Sequence, residues 1–310
     1  MDQYGSVGSS WTPSTANPRT GDYSLVCTDP GGVGSINSAG AFRRSFSQPR
    51  TVVKIGYGFN VDHYPASETG DSGGRARVMA SFISGSGPEA NISIVMGTDG
   101  SLACYDRFAW DQGLFFTIGT EIGRSNPGVV HATAWNHFEV LVTVNASTGS
   151  VEVRIDGVTV LSLSNVNTDY YGRGAARQVM FSGGHDTGNF YIDDLICSDD
   201  QGANADFLGD MQVFTDFPNA DAATQQWVPS TGAVAYAVVD EPAPNDDTDY
   251  AEADFPGDVM GLKFPALPTN LTEVAAVCFF HRTKKTGPGA STLNQTVISN
   301  GSSDVAPTIP

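Results

Sequence analysis

The chain has 310 residues, enough for about two domains at roughly 150 residues each. Hydrophobic residues make up 40% and charged residues 16%, too apolar for a disordered chain and too sparsely charged for a coiled coil. The 34 acidic against 16 basic side chains give a net charge of −18, which repels phosphate backbones and argues against nucleic-acid binding. The longest wholly apolar run, the seven residues Val274–Phe280, is far short of the ~20 that span a bilayer, so no membrane insertion is expected. Glycine (35) and proline (17), with 17 Phe and 10 Tyr, point to many short strands joined by turns.

The opening MDQYGSVGSSW has neither a basic n-region nor an apolar h-region and predicts no secretory signal. Period-two alternation then recurs along the chain, and helical periodicity is almost absent. Strands are predicted at Thr51–Val61, Arg77–Ile83, Asn91–Met96 and Ser101–Tyr105. In His137–Val144, Phe138, Val140, Val142 and Val144 share one face. Val151–Ile155 and Val158–Leu163 form a hairpin about Asp156-Gly157, a pair suited to the positive φ angles of a type I′ turn. Asn189–Cys197 is the last strong strand. Strands spaced this way, without helices between them, predict an antiparallel sandwich or jelly roll.

The composition changes after about residue 200. From Asp199 to Asp258 there are 14 Asp or Glu and no Lys or Arg, with five prolines interspersed. A first domain is therefore placed at 1–200 and a connecting strand at 201–217, centred on FLGDMQVFTDF (Phe207–Phe217). A smaller acidic β-rich unit follows at 218–310, with β-like runs at Ala233–Val239, Val259–Phe264 and Val274–His281 and an extended polar tail. WTPST at Trp11 is echoed by WVPST at Trp227, read either as a trace of duplication or as a convenient way to begin a strand.

Cys27, Cys104, Cys197 and Cys278 are far apart, with no C-x-x-C and no histidine at zinc-finger spacing, so they read as small buried apolar side chains. A Cys27–Cys197 bridge is left open, since both residues close short apolar strands. The five histidines (His63, His131, His137, His185, His281) are scattered singly. No H-x-x-x-H and no phosphate-binding glycine loop followed by Lys-Ser/Thr is present.

Carbohydrate binding calls for aromatic platforms beside polar side chains. The best local candidate is Tyr105, Asp106, Trp110, Asp111 and Gln112, with Trp110 stacking and Asp106, Asp111 and Gln112 hydrogen-bonding. The loop Asp169-Tyr170-Tyr171-Gly172-Arg173 is a second. The alternative is that these aromatics pack loops against the sandwich or meet a neighbouring subunit.

Three motifs resemble the concanavalin A-like lectin/glucanase superfamily in its laminin-G-like version. They are Trp135-Asn136-His137-Phe138-Glu139, the hairpin Gly149–Val153 with Asp156-Gly157, and Phe190-Tyr191-Ile192-Asp193-Asp194-Leu195. The resemblance covers about residues 20–200 and implies a concanavalin A-like jelly roll. Hydrolases of that superfamily carry E-x-D-x-x-E, two carboxylates on one strand face as retaining hydrolysis needs. Here Glu152 and Asp156 have the wrong spacing, and Glu252-Ala-Asp254 lacks the second glutamate, so no enzyme is expected. Related sandwiches hold structural calcium, which makes Asp193 and Asp194 a candidate site. Neighbours on a strand point to opposite faces, so the inward carboxylate needs an ion, an arginine or backbone amides. No other cofactor is implied.

The segments FLGDMQVFTDFPNADAATQQWVPSTG and VVDEPAPNDDTDY look more specifically like tailed-bacteriophage virion proteins that carry such a sandwich. That resemblance implies a non-enzymatic structural protein, either a tail-associated fibre or adhesin or a head-surface decoration protein. It would be assembled in the host cytoplasm and released in the virion by lysis. Its implied partners are other virion proteins and further copies of itself, a homotrimer being preferred. A receptor-binding lectin for host surface polysaccharide is the alternative, and a divergent glycan hydrolase a further one.

Overall fold

In the computed structural model the described residues are 11–28, 41–68, 76–84, 90–110, 116–183, 188–200, 206–232, 234–240, 249–267, 274, 296–299 and 302–305. The chain divides into two compact units, Met1–Thr215 and Asp216–Pro310.

In the first unit the strands run β1 (Trp11–Ser14), β2 (Ser24–Cys27), β3 (Ala41–Arg50), β4 (Val52–Val61), β5 (Val78–Ile83), β6 (Ala90–Met96) and β7 (Leu102–Trp110). They continue as β8 (Phe116–Ile118), β9 (Glu121–Arg124), β10 (Trp135–Thr143), β11 (Gly149–Ile155), β12 (Val158–Val166), β13 (Ala176–Ser182) and β14 (Phe190–Ser198). They form two antiparallel sheets, with no α-helix among the described residues. One sheet has the order β1-β2-β14-β4-β10-β11-β12 and the other β3-β13-β5-β6-β7-β8, with β9 also on β7. This is the all-β jelly-roll sandwich that the alternation predicts.

Alternation is what makes the core. Val53, Ile55, Tyr57, Phe59 and Val61 of β4 point inward with Phe138, Val140 and Val142 of β10, and Val151 and Val153 of β11 join them. Ile92, Ile94, Leu102, Val179 and Phe181 meet them from the opposite sheet. Tyr57 spans the two layers. Its ring lies 5.1 Å from Phe138 and 5.3 Å, edge-on, from Phe181, and its hydroxyl donates to the Met79 carbonyl at 2.7 Å. That bond satisfies a hydroxyl with no access to water, and burial pushes its pKa well up.

The β11–β12 turn has Asp156 at φ 51° and Gly157 at φ 77°, as the type I′ prediction requires. Asp156 also accepts the His137 N–H at 2.7 Å, tying the turn to β10. Cys27, Cys104 and Cys197 are free thiols, so the open Cys27–Cys197 bridge does not form. In the β2–β14 ladder Cys27 lies opposite Phe190, seven positions from Cys197. Burial raises the Cys197 thiol to about 12. Cys278 lies outside the described residues.

Residues 207–217 form no strand. Their backbone groups bond to side chains of the sandwich instead of a ladder: Glu139 accepts the Gly209 N–H and Asp194 the Val213 N–H, while Arg19 donates to the Met211 carbonyl.

The second unit has paired strands β15 (Ala220–Gln225) with β18 (Met260–Lys263), β16 (Val228–Pro229) with β17 (Ala251–Glu252), and β19 (Thr296–Ser299) with β20 (Ser302–Val305). The predicted strand at Ala233–Val239 is instead a 3-10 turn over Ala235–Val238. The Asp221 carboxylate accepts the N–H groups of Ala235 and Tyr236, at 3.1 and 2.8 Å, and holds the chain in that turn. The tail read as extended contains the β19–β20 hairpin. The run at Val274–His281 lies outside the described residues apart from Val274. Each W-x-P-S-T begins a strand, β1 in one sheet and β16 in another.

Truncating Phe138 removes a fully buried ring at the Tyr57 contact. Phe138→Ala is expected to lower unfolding free energy by about 3–5 kcal/mol, read as a lower urea midpoint with an unchanged m-value.

Candidate functional site

The 169–173 loop meets β7 through Arg107, a neighbour of the candidate residues Tyr105 and Asp106. Tyr105 on β7 is buried, and its hydroxyl lies 3.3 Å from Glu68, 3.4 Å from Glu121 and 3.3 Å from Arg124 Nη2. Arg124 binds both carboxylates, Glu68 at 2.5 Å and Glu121 at 2.6 Å, and also donates to Ser101 Oγ at 2.9 Å. These bonds hold its pKa above the ordinary guanidinium value and Glu121 below the ordinary carboxylate value. Burial first, then the Glu68 and Glu121 charges, push Tyr105 up to about 12, so it stays a neutral phenol.

Two residues along the strand, Arg107 takes φ 51°. Its guanidinium lies over the Tyr170 ring, 4.4 Å from the centroid, and donates to the Tyr170 hydroxyl at 2.9 Å. Asp106 accepts the Thr120 N–H at 2.6 Å and lies 3.6 Å from Arg107 Nε. Tyr171 stands edge-on to Tyr170 at 5.4 Å.

The loop carrying these tyrosines is held by Asp169, whose carboxylate accepts the N–H groups of Arg173 and Gly174 at 2.9 and 2.7 Å. Asn91 of β6 accepts the Tyr171 N–H at 3.1 Å. Tyr170 is 42% exposed on a backbone held by these bonds. Trp110 ends β7, opposite Phe116, and Asp111 and Gln112 lie outside the described residues. Glu68 beside Arg124 and the Arg107–Tyr170 stack were not legible locally, because the partners come from separate segments.

Asp193 and Asp194 do not point to opposite faces. The β14–β4 register slips between Asp193 and Ile196, and Asp194 takes φ 55°, so both carboxylates reach the same turn. Asp193 Oδ2 accepts the backbone N–H groups of Arg19 and Thr20, at 2.9 and 3.2 Å. Asp194 accepts from Arg19 Nη1 at 2.7 Å, Thr20 Oγ1 at 2.6 Å and the Val213 N–H at 2.8 Å. Arg19 also pairs with Asp210. Burial opposes the Arg19 charge, but hydrogen bonds to Asp210 and Asp194 outweigh it and hold its pKa above the ordinary value. Of the partners weighed for this pair, an arginine and backbone amides meet it. Among the described residues no group of three metal-ligating side chains gathers. Gly58, opposite Asp193 on β4, has no side chain because a Cβ there would collide with the Arg19 side chain.

Residues 206–213 therefore lie as a strap over the outer face of β4, β10 and β14. Beneath them Lys54 donates to the Asp206 carbonyl at 2.9 Å, and a cavity of about 20 Å³ remains, about one water in size. His137 is buried there, 3.5 Å from Asp210 Oδ1 and 4.0 Å from Glu139 Oε1. Burial lowers its pKa, more than the Glu139 and Asp210 carboxylates raise it, and Arg19 lowers it further. Gly184-His185-Asp186 lies outside the described residues.

No family model matches the chain, and no curated protein matches it. Among solved structures, alginate lyase Aly36B is similar at 16% identity and a TM-score of 0.37, over 60% of this chain and 86% of that one. The binding domain of Paraclostridial Mosquitocidal Protein 1 is similar at 11% and 0.39, over 64% of this chain and 44% of that one. The carbohydrate recognition domain of Emp46p is similar at 10% and 0.36, over 59% and 85%. Likeness at this level assigns no residue a role.

Because the folded-state pKa of His137 is depressed, its neutral form stabilises the fold above the unfolded value of about 6.5, and that stability is lost as pH falls towards the folded value. Urea titrations from pH 7.5 to 5.5 should show the wild type losing stability relative to His137→Gln. A relative gain would mean that attraction to Glu139 and Asp210 outweighs burial.

Proposed function

We propose that this chain is a non-enzymatic attachment protein of a tailed-phage particle, whose jelly roll binds surface polysaccharide beside β7. The observation that carries the binding role is the exposed Tyr170, stacked by Arg107, whose guanidinium lies 3.6 Å from Asp106. A sugar ring lies with its apolar face on such an aromatic surface while carboxylate and guanidinium groups bond its hydroxyls. The neighbouring lectin and lyase folds agree with a carbohydrate role without fixing it. The particle context is supported by the virion-like segments at 207–232 and 238–250. The absence of a complete E-x-D-x-x-E from the sequence supports the non-enzymatic reading. Affinity per site is expected to be weak and to gain from several copies on one particle.

A second reading, a building block that docks other virion proteins, is favoured by the second unit. There Tyr250, Phe255 and Val259 are exposed, Phe255 at 72%, within an acidic segment that lacks basic residues.

Glycan-array binding by the purified full chain, followed by titration of the best polysaccharide, tests the first reading. Tyr170→Ala and Arg107→Ala should each weaken binding roughly tenfold, about 1.4 kcal/mol, with an unchanged melting temperature. Binding that survives both substitutions places the sugar elsewhere. No binding to any glycan leaves the docking reading.

A further inference from the structure

His137 is a buried titratable side chain whose ring makes no hydrogen bond. Its backbone is fully used: the N–H bonds the Asp156 carboxylate at 2.7 Å and the carbonyl accepts the Asp156 N–H at 2.8 Å. Its side chain is 2% exposed, yet both ring nitrogens and Glu139 Oε2 are left without a hydrogen-bond partner. Phe138 faces the core, so His137 faces the other way, into the small cavity beneath the strap.

Charged groups stand around it on each element packed there. Glu139 follows on the same face of β10, with Oε1 4.0 Å from Nε2. Lys54 comes from β4 and is held by the Asp206 carbonyl. Asp193 and Asp194 of β14 lie across Gly58, and the Arg19 side chain that pairs with Asp194 passes over that glycine. Arg154 of β11, paired with Glu152, stacks on Phe207 of the strap, 3.8 Å from its ring centroid. The strap itself brings Asp210, 3.5 Å from Nδ1 and already paired with Arg19.

A proton on this ring adds a charge and a second N–H where polar atoms are already unbonded. The cavity, about one water in size, cannot hydrate an imidazolium. Glu139 does not favour a closed strap, because it stands beside His137 whether the strap is on or off. Asp210 does, but it is shared with Arg19 and its side chain is 59% exposed, so water weakens its pull. Burial outweighs both carboxylates and keeps the covered ring neutral. The strap is the part that can yield. Side chains hold it instead of a ladder, so lifting it hydrates His137 without breaking a strand pair.

We propose that residues 206–213 are an acid-opened latch, which leaves the outer face of β4, β10 and β14 when His137 takes up a proton. Opening bares Lys54, His137 and Glu139 to solvent, and it stands independently of the glycan and docking readings. With the strap off, His137 titrates near the ordinary value of about 6.5; with it on, lower. The closed strap is therefore favoured above that pH, and the preference is lost as pH falls towards the covered value.

Amide exchange of the full chain at pH 7.5 and 5.5, corrected for intrinsic rates, tests this. Protection at Gly209 and Val213 should fall about tenfold between the two, while the ladder amides of β4 and β10 keep theirs. His137→Gln cannot take up the proton and should show no such fall. A second variant leaves the histidine in place. Gly209→Pro removes the N–H that Glu139 accepts and forbids the φ of 76° found there, so it opens the strap. In that variant the His137 ring, followed by NMR, should titrate near 6.5 and above its wild-type value. Protection at Gly209 and Val213 that survives at pH 5.5, or falls equally in His137→Gln, overturns the proposal. So does a His137 titration that Gly209→Pro leaves unchanged.

Discussion

The Arg19 guanidinium is the contact that ties the covering segment to the sandwich. It joins Asp194 on β14, Asp210 on the strap and the Met211 carbonyl, and its stem lies over Gly58 of β4. Its side chain is 12% exposed and that of Asp194 is fully buried, so both charges have lost most of their water. Such a pair gains little net stability, because desolvation offsets most of the attraction. Its worth lies in direction. The path that residues 206–213 take satisfies Arg19, Asp194 and Glu139 together. With the strap in place, the central strands of that sheet are covered on both faces, by the aromatic core on one side and by polar contacts on the other.

Sandwich and strands were legible because one face of nearly every central strand is a strict apolar alternation. HFEVLVTV and VEVRI show the period directly, and Asp156-Gly157 marks the turn between β11 and β12. β3 and β13 were not legible, since AFRRSFSQPR and ARQVMFS dilute the pattern with polar and basic residues. The strap misled for a related reason. FLGDMQVF has strand-like composition, but its bonding partners are side chains nearly 200 residues earlier in the chain, at Arg19, as well as Glu139 and Asp194. The opposed faces expected of Asp193 and Asp194 failed because a bulge breaks the alternation on which the rule rests.

At the β7 side the same division holds. Aromatic and acidic residues in 105–112 and 169–173 stood out in the sequence, and the structure brings Arg107 and Tyr170 from those two stretches together. Their scaffold was hidden. Asp169 folds the loop by accepting two backbone N–H groups, and Arg124 draws Glu68 and Glu121 around Tyr105. A loop fixed in this way holds the Tyr170 ring without further ordering of its backbone.

The strap is the feature that ties charge, fold and chain path together, and amide hydrogen exchange of wild type and Arg19→Met tests it most directly. In the wild type the Gly209 and Val213 amides, bonded to Glu139 and Asp194, should exchange slowly. In Arg19→Met they should exchange at rates near those of an open loop, while the β4 and β10 amides stay protected. Unchanged protection at Gly209 and Val213 in the variant would contradict the claim that Arg19 holds the strap.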